Sequence, residues 1–163
     1  QAFGMRVVGF DPYVSAEAAR GWGVELMGLD ELLRQADYVC LHVPLTPETH
    51  HLIGAEQFAL MKPSAVLINV ARGPVVDQKA LYQALVNKSI AGAGLDVLEQ
   101  EPPALDEPLL GLDNVLLMAH TASTSVEATA QLRRETTRNV IEALQGRLPR
   151  SIVNRAGLGL PRA

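Results

Sequence analysis

The chain has 163 residues, 48% of them hydrophobic and 20% charged, with a net charge of −4. That length and balance suit one globular domain with a sizeable core and exclude a disordered chain. No nucleic-acid backbone is an expected partner, because Arg133, Arg134 and Arg138 are the one local basic excess and Glu135 and Glu142 interrupt it; no membrane is expected either, as no apolar run approaches a spanning length.

The first strand candidate is residues 5–10 (MRVVGF), followed at once by Asp11 and Pro12. Ser15 can cap a helix over 16–22, and Asp30 precedes a second helical pattern at 31–36. The run 38–43 (YVCLHV) reads as a strand, with Cys40 a buried small hydrophobe and His42 a core or edge residue. One cysteine cannot close an internal disulfide, which points to a reducing cytoplasm. His50 and His51 follow Thr49 in a solvated turn, with no carboxylate or cysteine at a spacing that completes a metal site. Strand candidates at 65–70 and 91–97 flank a helix over 79–87, with Asp77 as its cap and Leu81 and Leu85 one turn apart. Residues 99–112 hold Pro102, Pro103 and Pro108 and read as a functional loop. A strand at 115–118 leads to a long helix over 126–145, capped by Ser125 and stopped by Gly146, with Val140 and Leu144 on one face. The strands are nearly continuous in apolar character, as strands covered on both faces are. Their alternation with helices predicts an α/β fold, a doubly wound parallel sheet of the Rossmann-like kind.

Three segments carry chemistry. In 69–77 (NVARGPVVD) glycine and proline force a turn at the mouth of a strand, and Arg72 there can grip a carboxylate with its planar fork. Glu101, with Glu99 as its local rival, lies in the proline-rich loop, and His120 follows the last strand. An arginine, a glutamate and a histidine in that order suggest hydride-transfer chemistry on a small oxo acid. Asp11, at the end of the first strand, is placed as an acidic residue that accepts bonds from ribose hydroxyls. Such a residue follows a glycine-rich phosphate turn by roughly 20 residues. Counting back that far runs off the N-terminus, and no G-x-G-x-x-G occurs anywhere. The expectation is therefore a fragment of a longer protein: residues 1–148 as an incomplete dinucleotide-binding domain lacking its first strand and glycine-rich turn, and 149–163 as a tail returning toward a missing substrate domain.

The segments GMRVVGFDP, HVPLTPETHHLI, LINVARGPVVD, GAGLDVLEQEPP and NVLLMAHTASTSVEA resemble, in order and spacing, the nucleotide-binding domain of D-2-hydroxyacid dehydrogenases. That family includes glyoxylate and hydroxypyruvate reductases and phosphoglycerate dehydrogenase. The resemblance implies NAD as cofactor, Asp11 disfavouring a 2′-phosphate, a small 2-oxo or 2-hydroxy acid as substrate, and a homodimer. It implies Arg72, Glu101 and His120 as the catalytic set. It implies Asp11, Val43, Pro44, Val70, Ala71, Arg72, Asp96, His120 and Ala122 along the cofactor, with the Asp96 carboxylate on the nicotinamide carboxamide or, alternatively, capping a turn. Ala119 and Ala122 stand where the family commonly has proline and glycine, and a lost glycine matters where φ is positive. The chain alone is expected to be inactive and to hold NAD weakly. The alternatives are a non-catalytic NAD-sensing protein of the corepressor kind and an inactive truncated product.

Overall fold

Two parallel ladders carry the strands of the first 122 residues. The computed structural model describes residues 2–158, apart from the side chains of Arg155 and Ala156, so the end of the tail expected over 149–163 lies outside the described residues. The smaller ladder pairs β1 (Val8–Gly9) with β2 (Glu25–Leu26). Between them runs α1 (Ala16–Gly21), whose N-cap Ser15 accepts from the Ala18 N–H at 3.2 Å, as the sequence leads one to expect.

The larger ladder has four parallel strands in simple order: β3 (Tyr38–Leu41), β4 (Val66–Asn69), β5 (Gly92–Leu95) and β6 (Val115–Leu117). Val39, Leu67, Ala93 and Val115 lie in one row. Parallel strands need crossovers, and here α2 (Leu29–Gln35), α3 (Ala55–Leu60) and α4 (Gln78–Val86) lie along the connections that enter β3, β4 and β5. Leu33, Phe58, Leu81 and Leu85 from these helices join Val39, Leu67, Leu95 and Ile90 in one buried cluster. Each fully buried aliphatic side chain contributes about 1.5–3 kcal/mol of transfer free energy. Among the described residues no strand joins the two ladders. Arg6 reaches from the edge of β1 to Glu25 at 2.6 Å and to Gln35 of α2 at 3.1 Å.

Several expectations are corrected. The strands are shorter than the apolar runs that announced them, and β2 and α3 had no sequence assignment. Gly28, not Asp30, is the N-cap of α2, with Asp30 in its first turn. Within residues 1–122 the strands bury Val39, Leu41, Leu67 and Leu95, while Tyr38, Cys40, Leu116 and Met118 on the alternate positions are exposed. The helices of this unit pack on the first set, and a strand's period of two leaves the second set outside. Cys40 is thus an exposed thiol rather than a core residue, and its partial desolvation pushes the thiol up from its ordinary value, toward the unreactive form. His42, just past β3, is an exposed residue beside an edge strand. Gly92 does what a strand glycine at a close approach should, since a Cβ there would meet the Asn114 carbonyl oxygen at 2.8 Å; at Gly94 a Cβ would meet only ordinary contact.

From Ser123 onward the chain forms a second unit. It holds α5 (Val126–Leu144) and a 3₁₀ turn at Arg155–Leu158. Ser125 caps α5 through the Ala128 N–H at 3.0 Å, and Gly146 ends it at φ 71°, both as the sequence predicts. Val140 and Leu144 share a face, but that face is exposed.

Candidate active site

The C-terminal ends of β4, β5 and β6 lie side by side, because the strands are parallel and adjacent. In open α/β sheets ligands bind at this edge. Each strand ends in one of the three segments singled out from sequence.

β4 ends at Asn69, whose side chain is almost completely buried. Its Oδ1 accepts from the Ala71 N–H at 3.0 Å, and its Nδ2 donates to the Arg72 carbonyl at 2.9 Å. This two-sided clamp bends the chain immediately after the strand and presents Arg72 at the surface. The Arg72 guanidinium donates through Nη1 to the Ala71 carbonyl at 2.6 Å, one of its five N–H donors. Gly73 follows and has no room for a side chain: a Cβ would fall 1.9 Å from the Leu98 carbonyl oxygen and 2.5 Å from the Glu99 nitrogen. The arginine turn and the loop after β5 are therefore pressed backbone to backbone.

β5 is followed by Asp96, also buried. Its two carboxylate oxygens accept from the Thr121 and Ala122 N–H groups at 2.7 and 2.9 Å, while its carbonyl takes the His120 N–H at 2.9 Å. Of the two readings open for Asp96, the turn cap is the one the hydrogen bonds display. It holds the loop after β6 in place, and with it His120. That loop has φ 54° at His120, left-handed backbone that costs a non-glycine residue about 1–2 kcal/mol. Ala122 is not among the positive-φ residues, so the alanine in place of glycine carries no strain.

Glu101 closes the arrangement. Its Oε1 accepts from the Leu98 N–H at 3.0 Å, and its Oε2 lies 2.7 Å from His120 Nδ1. Both side chains stay partly open, 37% exposed for Glu101 and 49% for His120. Glu99, the rival, pairs elsewhere: its Oε1 lies 2.9 Å from His51 Nε2. The turn that holds His50 and His51 is thus a paired one, with the two rings stacked at 4.0 Å.

The His120 hydrogen bond, and after it the Leu98 N–H, hold the Glu101 carboxyl below the ordinary glutamate range. A depressed carboxyl stabilises the fold above the ordinary value of about 4.3, and that contribution is lost as pH falls through the lowered value. The Glu101 carboxyl carbon should accordingly titrate in NMR with a midpoint under about 4.3. In His120→Ala the midpoint should move back up; an unchanged midpoint would show that the pair does not form in solution.

The remaining sequence candidates take two positions. Val43 and Val70 are half-buried and Pro44 exposed, at the ends of β3 and β4, and Ala71 is buried. Asp11 follows β1 and accepts from the Tyr13 and Val14 N–H groups at 2.8 and 3.2 Å, all within its own turn. It shares no bond with the arginine, glutamate and histidine loops. Sequence reading missed Asn69, although an asparagine between a strand and a turn signals a side chain that bonds the backbone two residues on.

Comparison with known proteins agrees with this geometry. Residues 1–122, the whole first unit, match the family described as "D-isomer specific 2-hydroxyacid dehydrogenase, NAD binding domain". Over 94% of its length the chain is 48% identical to a glyoxylate reductase of Korarchaeum cryptofilum and 46% identical to a D-3-phosphoglycerate dehydrogenase of Methanocaldococcus jannaschii. It spans only 46% and 29% of those two proteins. Among solved structures, D-lactate dehydrogenase from Aquifex aeolicus, complexed with NAD and lactic acid, superposes with a TM-score of 0.81 at 40% identity, covering 89% of this chain and 48% of that one. The holo form of Rhodotorula graminis D-mandelate dehydrogenase gives 0.85 at 36% identity, covering 94% and 45%. With Arg72 on one loop and the bonded Glu101–His120 pair beside it at the C-terminal edge of a Rossmann-like sheet, this chain belongs to the NAD-binding domain family of the D-isomer specific 2-hydroxyacid dehydrogenases.

Proposed function

We propose that the protein carrying this chain is an NAD-dependent oxidoreductase that interconverts a small D-2-hydroxy acid and its 2-oxo form. The observation that carries the reading is the 2.7 Å Glu101–His120 pair, set on a loop locked against the turn that bears Arg72. Arg72 would bind the substrate carboxylate and polarise the neighbouring carbonyl; a fork with four donors beyond its bond to Ala71 can serve two oxygens at once. Glu101, ionised at neutral pH, accepts at His120 Nδ1 and so fixes the proton there and the ring's orientation. That leaves Nε2 to give a proton to the substrate oxygen in reduction and to take it in oxidation.

The donor set fits the ribose and nicotinamide ends of a dinucleotide. Asp11 offers a carboxylate beyond a strand, and Val43, Pro44, Val70 and Ala71 offer an apolar wall at strand ends. When bound, NAD supplies the hydride acceptor or donor. A carboxylate at Asp11 favours NAD over its 2′-phosphorylated form. The closing substrate-binding domain and a second copy of the protein are the partners proposed, and a reducing compartment such as the cytoplasm suits the free Cys40 thiol.

The test uses full-length protein with NADH and a panel of 2-oxo acids. Turnover is expected with at least one acid, and Arg72→Lys should lower kcat/KM about 10–100-fold, the worth of a charged bidentate contact. NADH binding without turnover on any acid would overturn the assignment.

A further inference from the structure

Resting on that reading, we propose that Glu99, held by His51 and Gln78, is a positioning residue that sets the Glu101 carboxylate on His120. Glu99 Oε1 receives two partners, His51 Nε2 at 2.9 Å and the Gln78 N–H at 3.0 Å. The Glu99 N–H returns a bond to Gln78 Oε1 at 2.9 Å. Gln78 opens α4, so the Glu99 carboxylate also lies at the positive end of that helix. A reciprocal pair of this kind fixes both the side chain and the backbone of Glu99.

Two further contacts extend the lock. The His51 N–H donates to the Pro74 carbonyl at 2.8 Å, and His51 holds left-handed backbone at φ 52°. The Ile53 N–H donates to Val75, and the Asp77 N–H donates back to Ile53. The turn around residues 46–53 is thereby stitched along 74–77, immediately after Arg72 and Gly73. From the other side the Gly73 backbone abuts Leu98 and Glu99. Leu98 is thus held between Gly73 and the anchored Glu99, and its N–H is the donor that fixes Glu101 Oε1.

The consequence is a division of labour between two histidine–carboxylate pairs on one loop. The His120–Glu101 pair faces the chemistry. The His51–Glu99 pair anchors the loop from behind, so that the first pair keeps its 2.7 Å geometry without rearranging when substrate arrives. Neither Glu99 nor His51 touches substrate in this scheme.

The readout is the tautomer of His120 in the full-length protein, followed by long-range ¹⁵N–¹H NMR at a pH where the imidazole is neutral, with no cofactor or substrate present. In the wild type the Nδ1–H form should dominate, because a carboxylate accepts at Nδ1. Glu101→Gln sets the floor. Glu99→Ala should lower the Nδ1–H to Nε2–H ratio about tenfold, and His51→Asn about threefold, as charge-assisted bonds loosen. Asparagine is chosen because it tolerates the left-handed backbone at position 51. If Glu99→Ala does not fold, His51→Asn decides alone. A wild-type ratio in the folded variants overturns the proposal. Full-length protein that shows the tautomer shifts but no turnover would sink the oxidoreductase reading and leave this one standing; turnover with unchanged tautomers would do the reverse.

Discussion

Replacing His120 by alanine in the full-length protein should lower kcat about 10²–10⁴-fold, the range set by a positioned general acid–base. NADH affinity should change far less than kcat, since among the described residues the ring's hydrogen bond is to Glu101. Asp96 bonds the two N–H groups that follow His120, so the loop persists when the ring is gone. The loss then isolates the proton-transfer role from the shape of the cleft. Glu101→Gln should reproduce part of the defect, because an amide can accept from Nδ1 through its oxygen but can equally donate through its NH2 group, so it no longer fixes the tautomer. Steady-state kinetics beside NADH titration separates the outcomes. A His120→Ala enzyme with wild-type kcat would show that the proton comes from another group.

Gly73→Ala should be strongly destabilising. The added methyl would lie 1.9 Å from the Leu98 carbonyl oxygen and 2.0 Å from its carbon, and these are backbone atoms with no rotamer to yield. Over-packing of this kind costs about 3 kcal/mol or more, the upper end for an inserted methyl group. The two loops would have to part, and with them Arg72 from the Glu101–His120 pair. Activity should fall even in the fraction that folds. Gly94→Ala is the matched control: its methyl would meet Ile68 Cγ1 at 3.9 Å, an ordinary contact. That change should shift stability by less than about 1 kcal/mol. Urea denaturation of the two variants measures the difference, and equal midpoints would mean that the loops are not pressed together as described.

Much of this was legible in the residues. The caps Ser15, Asp77 and Ser125 each sit where the sequence placed them, because a cap is a local event: a short oxygen side chain reaches an N–H three residues on. β2 escaped notice because two residues are too few to show a period. α3 escaped because its N-cap is Gly54, which offers no side-chain oxygen. Which positions of each strand are buried was not legible for a related reason. A run such as YVCLHV shows no clear alternation of apolar and polar residues, so it cannot say which of its positions meet helices; the structure buries Val39 and Leu41 and leaves Tyr38 and Cys40 outside.

The site divides along the same line. By itself the sequence determined which side chains have the chemistry to act: a guanidinium at a forced turn, an imidazole after the last strand, a carboxylate in a proline-rich loop. It determined the parallel α/β architecture as well, since alternating short strands and helices have few other ways to bury their apolar faces. Only the tertiary structure decided the partners. Glu99 and Glu101 are two residues apart and chemically identical, yet one faces His51 and the other His120. That choice depends on where distant loops meet, and the meeting is set by a glycine with no room for a methyl and by the adjacency of three strands from separate parts of the chain.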